Sequence, residues 1–163
     1  MIGKPCGKIN RLVKSCLTVF GMLVFVSGVL YAQPTNDDCD EAREIKDPSS
    51  YCSGKAEFTT AGATDSGYGP SGCWDTSVND VWFSFTAKAT GVNIVINGKN
   101  IGSGLRNPQA TLYIGVCGGQ IQELECQSDA TGSGGVALIE NGLVVGATYY
   151  IRVSGRSNVA GTF

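Results

Sequence analysis

The chain has 163 residues, with 12 Lys and Arg against 14 Asp and Glu, a formal net charge of −2, seven Cys, 23 Gly and no His. Without imidazole there is no Ser-His-Asp triad, no Cys-His dyad and no His-ligated zinc, so the common routes to hydrolysis near neutral pH are closed. The modest charge and a pI near 5.0 exclude a nucleic-acid partner, which needs a basic surface, and the length allows one domain.

Residues 1–16 carry Lys4, Lys8, Arg11 and Lys14 and no acid, and residues 17–30 form a charge-free apolar run, LTVFGMLVFVSGVL. This is the pattern of a signal peptide. Fourteen helical residues cover about 21 Å, short of a hydrocarbon core of roughly 30 Å, so no stable membrane span is expected. Ala32 supplies a small residue before the cleavage point, which defines residues 1–32 as the export segment. Cys16 precedes the apolar run, which argues against a lipidated N-terminal Cys. Removing residues 1–32 takes away four basic side chains; 8 basic and 14 acidic residues remain, a net charge of −6. That excess suits a protein working outside the cell among cations and disfavours anionic lipid. Five Cys remain, namely Cys39, Cys52, Cys73, Cys117 and Cys126, and exported thiols usually pair.

Residues 33–50 (QPTNDDCDEAREIKDPSS) are polar and read as an entry segment, with the folded domain expected over 51–163. From there no helix period is sustained. Short runs bounded by Gly, Asn, Ser and Pro read as strands at 56–60, 80–87, 91–98, 110–116, 121–126, 135–140 and 148–155. Val81, Phe83 and Phe85 alternate with Trp82, Ser84 and Thr86; Val92, Ile94 and Ile96 alternate with Asn93, Val95 and Asn97; Tyr149, Ile151 and Val153 alternate with Tyr150, Arg152 and Ser154. Seven strands in about a hundred residues imply an all-β antiparallel sandwich. CGGQ at 117–120 and ATGSGG at 130–135 are turns; the latter lacks the Lys and Ser/Thr of a phosphate loop. At the C-terminus SNVAG reads as a turn and Thr162–Phe163 as the opening of a mate for strand 148–155. That strand would otherwise be an unpaired edge, so the chain is expected to be a fragment missing its last strand.

NDDC at 36–39, GATDSG at 62–67, NDVWFSFTA at 79–87, LYIGVCGG at 112–119, ELECQSD at 123–129 and VVGATYYIRVSG at 144–155 together resemble the bacterial pre-peptidase C-terminal domain family. The closer likeness is to the version found in Bacteroidetes proteins exported by the type IX route. The resemblance covers residues 36–163 and implies a jelly-roll sandwich. It also implies a non-catalytic module attached to secreted peptidases, other hydrolases or adhesins, some of which bind calcium, collagen or carbohydrate.

Cys117 and Cys126 flank a short turn and a strand, a spacing that lets a hairpin bring them within disulfide reach. Cys39, Cys52 and Cys73 compete for one further bond. Cys39–Cys52 is favoured because it pins the entry segment, and Cys73 is then left over. A nucleophilic Cys73 is discounted for want of an activating base.

Asn36, Asp37, Asp38, Asp65, Asp75, Asn79, Asp80 and Asp129 are loop oxygens of the kind Ca²⁺ takes. Asp37, Asp38, Asp65 and Asp80 are the calcium candidates. The competing reading is that Asp and Asn open turns by bonding their own backbone. Tyr68 and Trp74 share a Gly- and Ser-rich loop, where exposed aromatics would contact a sugar or a protein, against ordinary packing. Trp82 is assigned to the core. Glu123 and Glu125, on one face of a strand, read as solvent charges rather than a glycosidase pair.

The expected function is a binding or spacer module of an exported surface or secreted protein, with extracellular polysaccharide or protein as partner. The alternatives are an accessory domain of a secreted hydrolase and a carbohydrate- or matrix-binding module.

Overall fold

The computed structural model describes residues 32–98 and 103–163. The expected export segment, residues 1–32, therefore lies outside the described residues, Ala32 apart. Seven strands form: β1 (Arg43–Glu44), β2 (Val81–Thr86), β3 (Gly91–Asn97), β4 (Pro108–Gly115), β5 (Ile121–Ser128), β6 (Gly135–Asn141) and β7 (Thr148–Gly155). They build a five-stranded sheet in the order β1-β2-β7-β4-β5 and a two-stranded sheet β3-β6. All pairs are antiparallel except β1 with β2. The architecture is an all-β sandwich.

The alternating residues explain the packing. Val81, Phe83 and Phe85 of β2, Ala110 and Leu112 of β4 and Tyr149, Ile151 and Val153 of β7 are buried together with Ile96 and Leu138 of the smaller sheet. Each large apolar side chain so buried contributes roughly 1.5–3 kcal/mol. Phe58, Phe83 and Phe163 close one end of this core, with ring centroids 4.7–6.1 Å apart.

The other face of the large sheet is also buried, which strand alternation does not reveal. Trp82, Arg152, Thr111 and Gln109 are 0 % exposed because residues 36–42 and 61–80 lie over them. Cys39, Trp82 and Tyr113 form a second, smaller core there. The polar segment at 33–50 is therefore part of the fold. Asn36 exchanges backbone and side-chain hydrogen bonds with Trp82, and Cys39–Glu41 make a 3-10 turn.

Four expectations change. Residues 56–60 do not form a strand; Thr59 makes a single bridge to Thr162, and Ala56 has a positive φ of 55°. The unanticipated strand is β1, two residues long. Strand β7 lies in the middle of its sheet, between β2 and β4, so it has no edge that needs a hairpin mate. Thr162 and Phe163 pair instead with the 58–60 segment, Phe58 and Phe163 exchanging N–H···O bonds at 3.0 and 3.2 Å.

The disulfides also differ. Among the described residues the bonds are Cys39–Cys117 and Cys73–Cys126, and Cys52 is the free, exposed thiol. The expected Cys117–Cys126 and Cys39–Cys52 bonds do not form, because each observed bridge staples a covering segment to the sheet rather than closing a local loop. Cys73 is a structural half-cystine.

Candidate functional site

The covering segment 61–80 meets the β4–β5 hairpin at a groove of about 630 Å³, with Tyr68, Ser71, Tyr113, Gln120, Gln122 and Glu123 among its lining. The size falls within the range of roughly 300–1,000 Å³ found for small-ligand clefts. One wall is the 68–72 loop and the other is β4, β5 and their turn. Gly115 permits that turn: its φ is +136°, and a Cβ there would stand 2.3 Å from the Gln120 carbonyl oxygen.

Both walls are pinned. Tyr68 packs its ring on Trp82 at 5.1 Å, and its hydroxyl accepts a hydrogen bond from the Gly118 N–H at 2.8 Å. Ser71 and Tyr113 join hydroxyls across the floor. Glu123 accepts the Gly72 N–H at 3.0 Å; its other oxygen would stand 3.1 Å from a Cβ at Gly72, so the absence of that Cβ lets the carboxylate lie close. Cys73–Cys126 fastens the loop beyond Gly72, and Cys39–Cys117 fastens the turn beside Gly118. Loops held this way keep a binding shape without ordering on contact, which limits the entropy lost when a ligand arrives.

Beneath the groove lies a buried ion pair. Arg152 donates from Nε to Asp80 Oδ2 at 2.8 Å and from Nη1 to the Gly69 carbonyl at 2.6 Å. Its guanidinium lies between Trp74, 4.7 Å to the ring centre, and Trp82, 5.4 Å. Trp74 is therefore 8 % exposed and does not offer its face to a ligand. Of the two aromatics expected on this loop, only Tyr68 reaches the groove.

The calcium candidates are not brought together. Asp37 accepts hydrogen bonds from Thr64 N and Oγ1 and from Gln33. Asp80 accepts from Ser66, from Trp82 Nε1 at 2.9 Å and from Arg152. Asp65 caps its own turn through Gly67 N–H. Asp38 is exposed, and its carboxyl is raised above the ordinary value by burial and by the neighbouring Asp37, Asp40 and Asp80 charges. Among the described residues no three acidic, Cys or His side chains are grouped so as to hold a metal. The carboxylate oxygens of Asp37, Asp65 and Asp80 accept hydrogen bonds within the fold.

Glu123 and Glu125 do not share a face. The β4–β5 register shifts between Leu112 and Tyr113, so Glu125 stands opposite Leu112 and Glu123 opposite Tyr113. A bulge at Leu124 accounts for the change, since one extra residue inverts the alternation.

Asp129 is the anchor of the 130–135 loop. Burial by itself would raise its pKa. The Gly134 N–H, the Thr131 hydroxyl and the N–H groups of that loop hold the carboxylate instead, well below the ordinary value of 3.8. A carboxylate whose pKa is depressed on folding stabilises the fold fully above its unfolded value, and that contribution is lost as pH falls through the folded value. Asp129→Asn is accordingly expected to flatten the loss of stability below pH 4. Denaturant titrations of the two proteins at pH 3 and pH 7 check this, and an equal acid loss in both would refute it.

A second cleft of about 430 Å³ opens between the sheets along β3, lined by Phe58, Phe83, Phe85, Ile94, Ile96 and Phe163 with Cys52 at its rim. It is the apolar side of the core and has few polar groups to orient a ligand. Among the described residues no helix is long and apolar enough to cross a membrane.

Residues 35–163 match the model of a family described as galactose binding domain-like and associated with type IX secretion. The likeness to type IX-linked exported β-modules is supported at that level, and the matching family is this one rather than the pre-peptidase C-terminal family. No curated protein and no solved structure matches.

Proposed function

Since the chain belongs to the galactose-binding-domain-like family associated with type IX secretion, we propose that it is a non-catalytic module which tethers an exported protein to extracellular saccharide through the Tyr68 groove. Such a domain fits a module of an exported protein. Adhesion to a surface polysaccharide and delivery of a neighbouring hydrolase to its substrate both follow from one binding event. The pre-peptidase C-terminal likeness adds the second of these roles.

The observation that carries the reading is a groove whose two walls are held to each other, Tyr68 by the Gly118 N–H, Ser71 by the Tyr113 hydroxyl and Gly72 by the Glu123 carboxylate. A recognition surface with an aromatic wall, exposed amides and a carboxylate benefits from fixed loops. Tyr68 supplies the apolar ring against which a sugar face stacks, and Gln120, Gln122 and Glu123 supply the hydrogen-bonding groups.

The test is a panel of neutral, amino and acidic saccharides, followed by titration of those retained. Tyr68→Ala is expected to lower affinity about tenfold, the usual scale for an aromatic contact near the centre of an interface. Tyr68→Phe keeps the ring and loses only the bond to Gly118. Retention of no saccharide, or equal affinity in wild type and Tyr68→Ala, would reject the groove.

A further inference from the structure

We infer that the groove selects its saccharide by charge, preferring one that carries a free amine over a neutral one and rejecting one that carries carboxylate or sulfate. The inference rests on the groove being the saccharide site, and adds which chemical class that site takes.

Three observations carry it. First, the formal charge in the lining is Glu123, and none of the lining residues is Lys or Arg. Secondly, Glu123 is held in place. One carboxylate oxygen accepts the Gly72 N–H at 3.0 Å, and its register opposite Tyr113 points the side chain to the groove face. The second oxygen, with the remaining lone pairs of the first, is left to accept from a ligand. Thirdly, Arg152, which binds the Gly69 carbonyl of the loop that walls the groove, is 0 % exposed and committed to that carbonyl and to Asp80, so it is not presented to a ligand anion. The domain as a whole, with 8 basic and 14 acidic side chains beyond residue 32, adds a negative field that repels acidic polysaccharide and attracts cationic ligands.

An ammonium on the sugar ring would donate to the Glu123 carboxylate in a charge-assisted hydrogen bond, which is stronger than the bond a hydroxyl makes in the same position. Because Glu123 is exposed, the gain is screened by water and salt and stays modest.

The test compares three ligands with the same ring and different charge: galactosamine, galactose and galacturonate, titrated by NMR into the disulfide-intact domain at low salt. Galactosamine is expected to bind about three- to tenfold tighter than galactose, and galacturonate more weakly than either. The galactosamine advantage should shrink toward one when salt is raised, when pH passes above the amine's own pKa, or in Glu123→Gln. Equal affinity for galactosamine and galactose, or tighter binding of galacturonate, overturns the charge selection and leaves the groove intact as a saccharide site. Binding of none of the three, with none retained from the wider panel, overturns the groove itself. A galactosamine advantage that persists in Glu123→Gln and at high salt overturns the assignment to Glu123.

Discussion

Asp80→Ala is expected to destabilise the domain by about 3–5 kcal/mol, the usual loss when one member of a buried ion pair is removed. Both Asp80 and Arg152 have fully buried side chains. The guanidinium is fixed by the Asp80 carboxylate, by the Gly69 carbonyl and by two tryptophan rings. Its Nη2 makes no hydrogen bond and lies 3.8 Å from the half-exposed Asp65. Deleting the carboxylate leaves a buried cation facing the half-exposed Asp65 at 3.8 Å in place of its buried partner, and an indole N–H without its acceptor. Asp80→Asn preserves the shape and an acceptor and should fall between wild type and Asp80→Ala. Urea denaturation of the three proteins provides the comparison; a loss under about 1 kcal/mol for Asp80→Ala, the scale of a solvated surface pair, would contradict the buried pair.

Removal of the Cys73–Cys126 bond by a double Cys→Ser substitution is expected to cost about 4 kcal/mol. The bridge closes a loop of 53 residues, and the chain-entropy cost of leaving such a loop open is of that size. A Cys117–Cys126 bridge would close only nine residues and contribute roughly 2.6 kcal/mol by the same relation. Cys52→Ser should change stability little, because that thiol is exposed and in no disulfide. Peptide mapping without reduction gives the direct check: linked fragments should contain Cys39 with Cys117 and Cys73 with Cys126, and alkylation before reduction should label Cys52. A linked fragment holding Cys117 and Cys126 would overturn the pairing. The bridges fasten the loop beyond Gly72 and the turn beside Gly118, so their loss should also weaken the proposed saccharide binding under conditions where the sandwich is still folded.

The two effects share a cause that lies outside the strands. The large sheet carries one core against β3 and β6 and a second beneath residues 36–42 and 61–80. The second is small and partly polar. It is held by the Asp80–Arg152 pair, by Asp37 bound to Thr64 and by two covalent bridges, rather than by area alone. A small cover of this kind gains from staples, as small exported domains do in general.

The amino-acid sequence by itself determined the all-β class and six of the strands to within two residues at either end, namely β2, β3, β4, β5, β6 and β7. In β2, β3 and β7 the apolar residues recur with a period of two, and the others are short runs bounded by turn residues; both signals are local. It also determined that Trp82 is packed inside, and that Cys73 has no activator. Tertiary structure alone decided the rest. Strand β1, two residues long, has no period to read. Residues 56–60 alternate like a strand and make a single bridge. The bulge at Leu124, which parts Glu123 from Glu125, is one residue in a regular pattern. Disulfide partners 78 and 53 residues apart depend on which segments cover the outer face, as does the burial of Arg152 and Trp74. The groove joins Tyr68 and Ser71 to Tyr113 and Glu123, residues more than forty positions apart. Periodicity reports which side of a strand is apolar; it does not report what lies on the other side, and the staples, the buried charge and the groove are all found there.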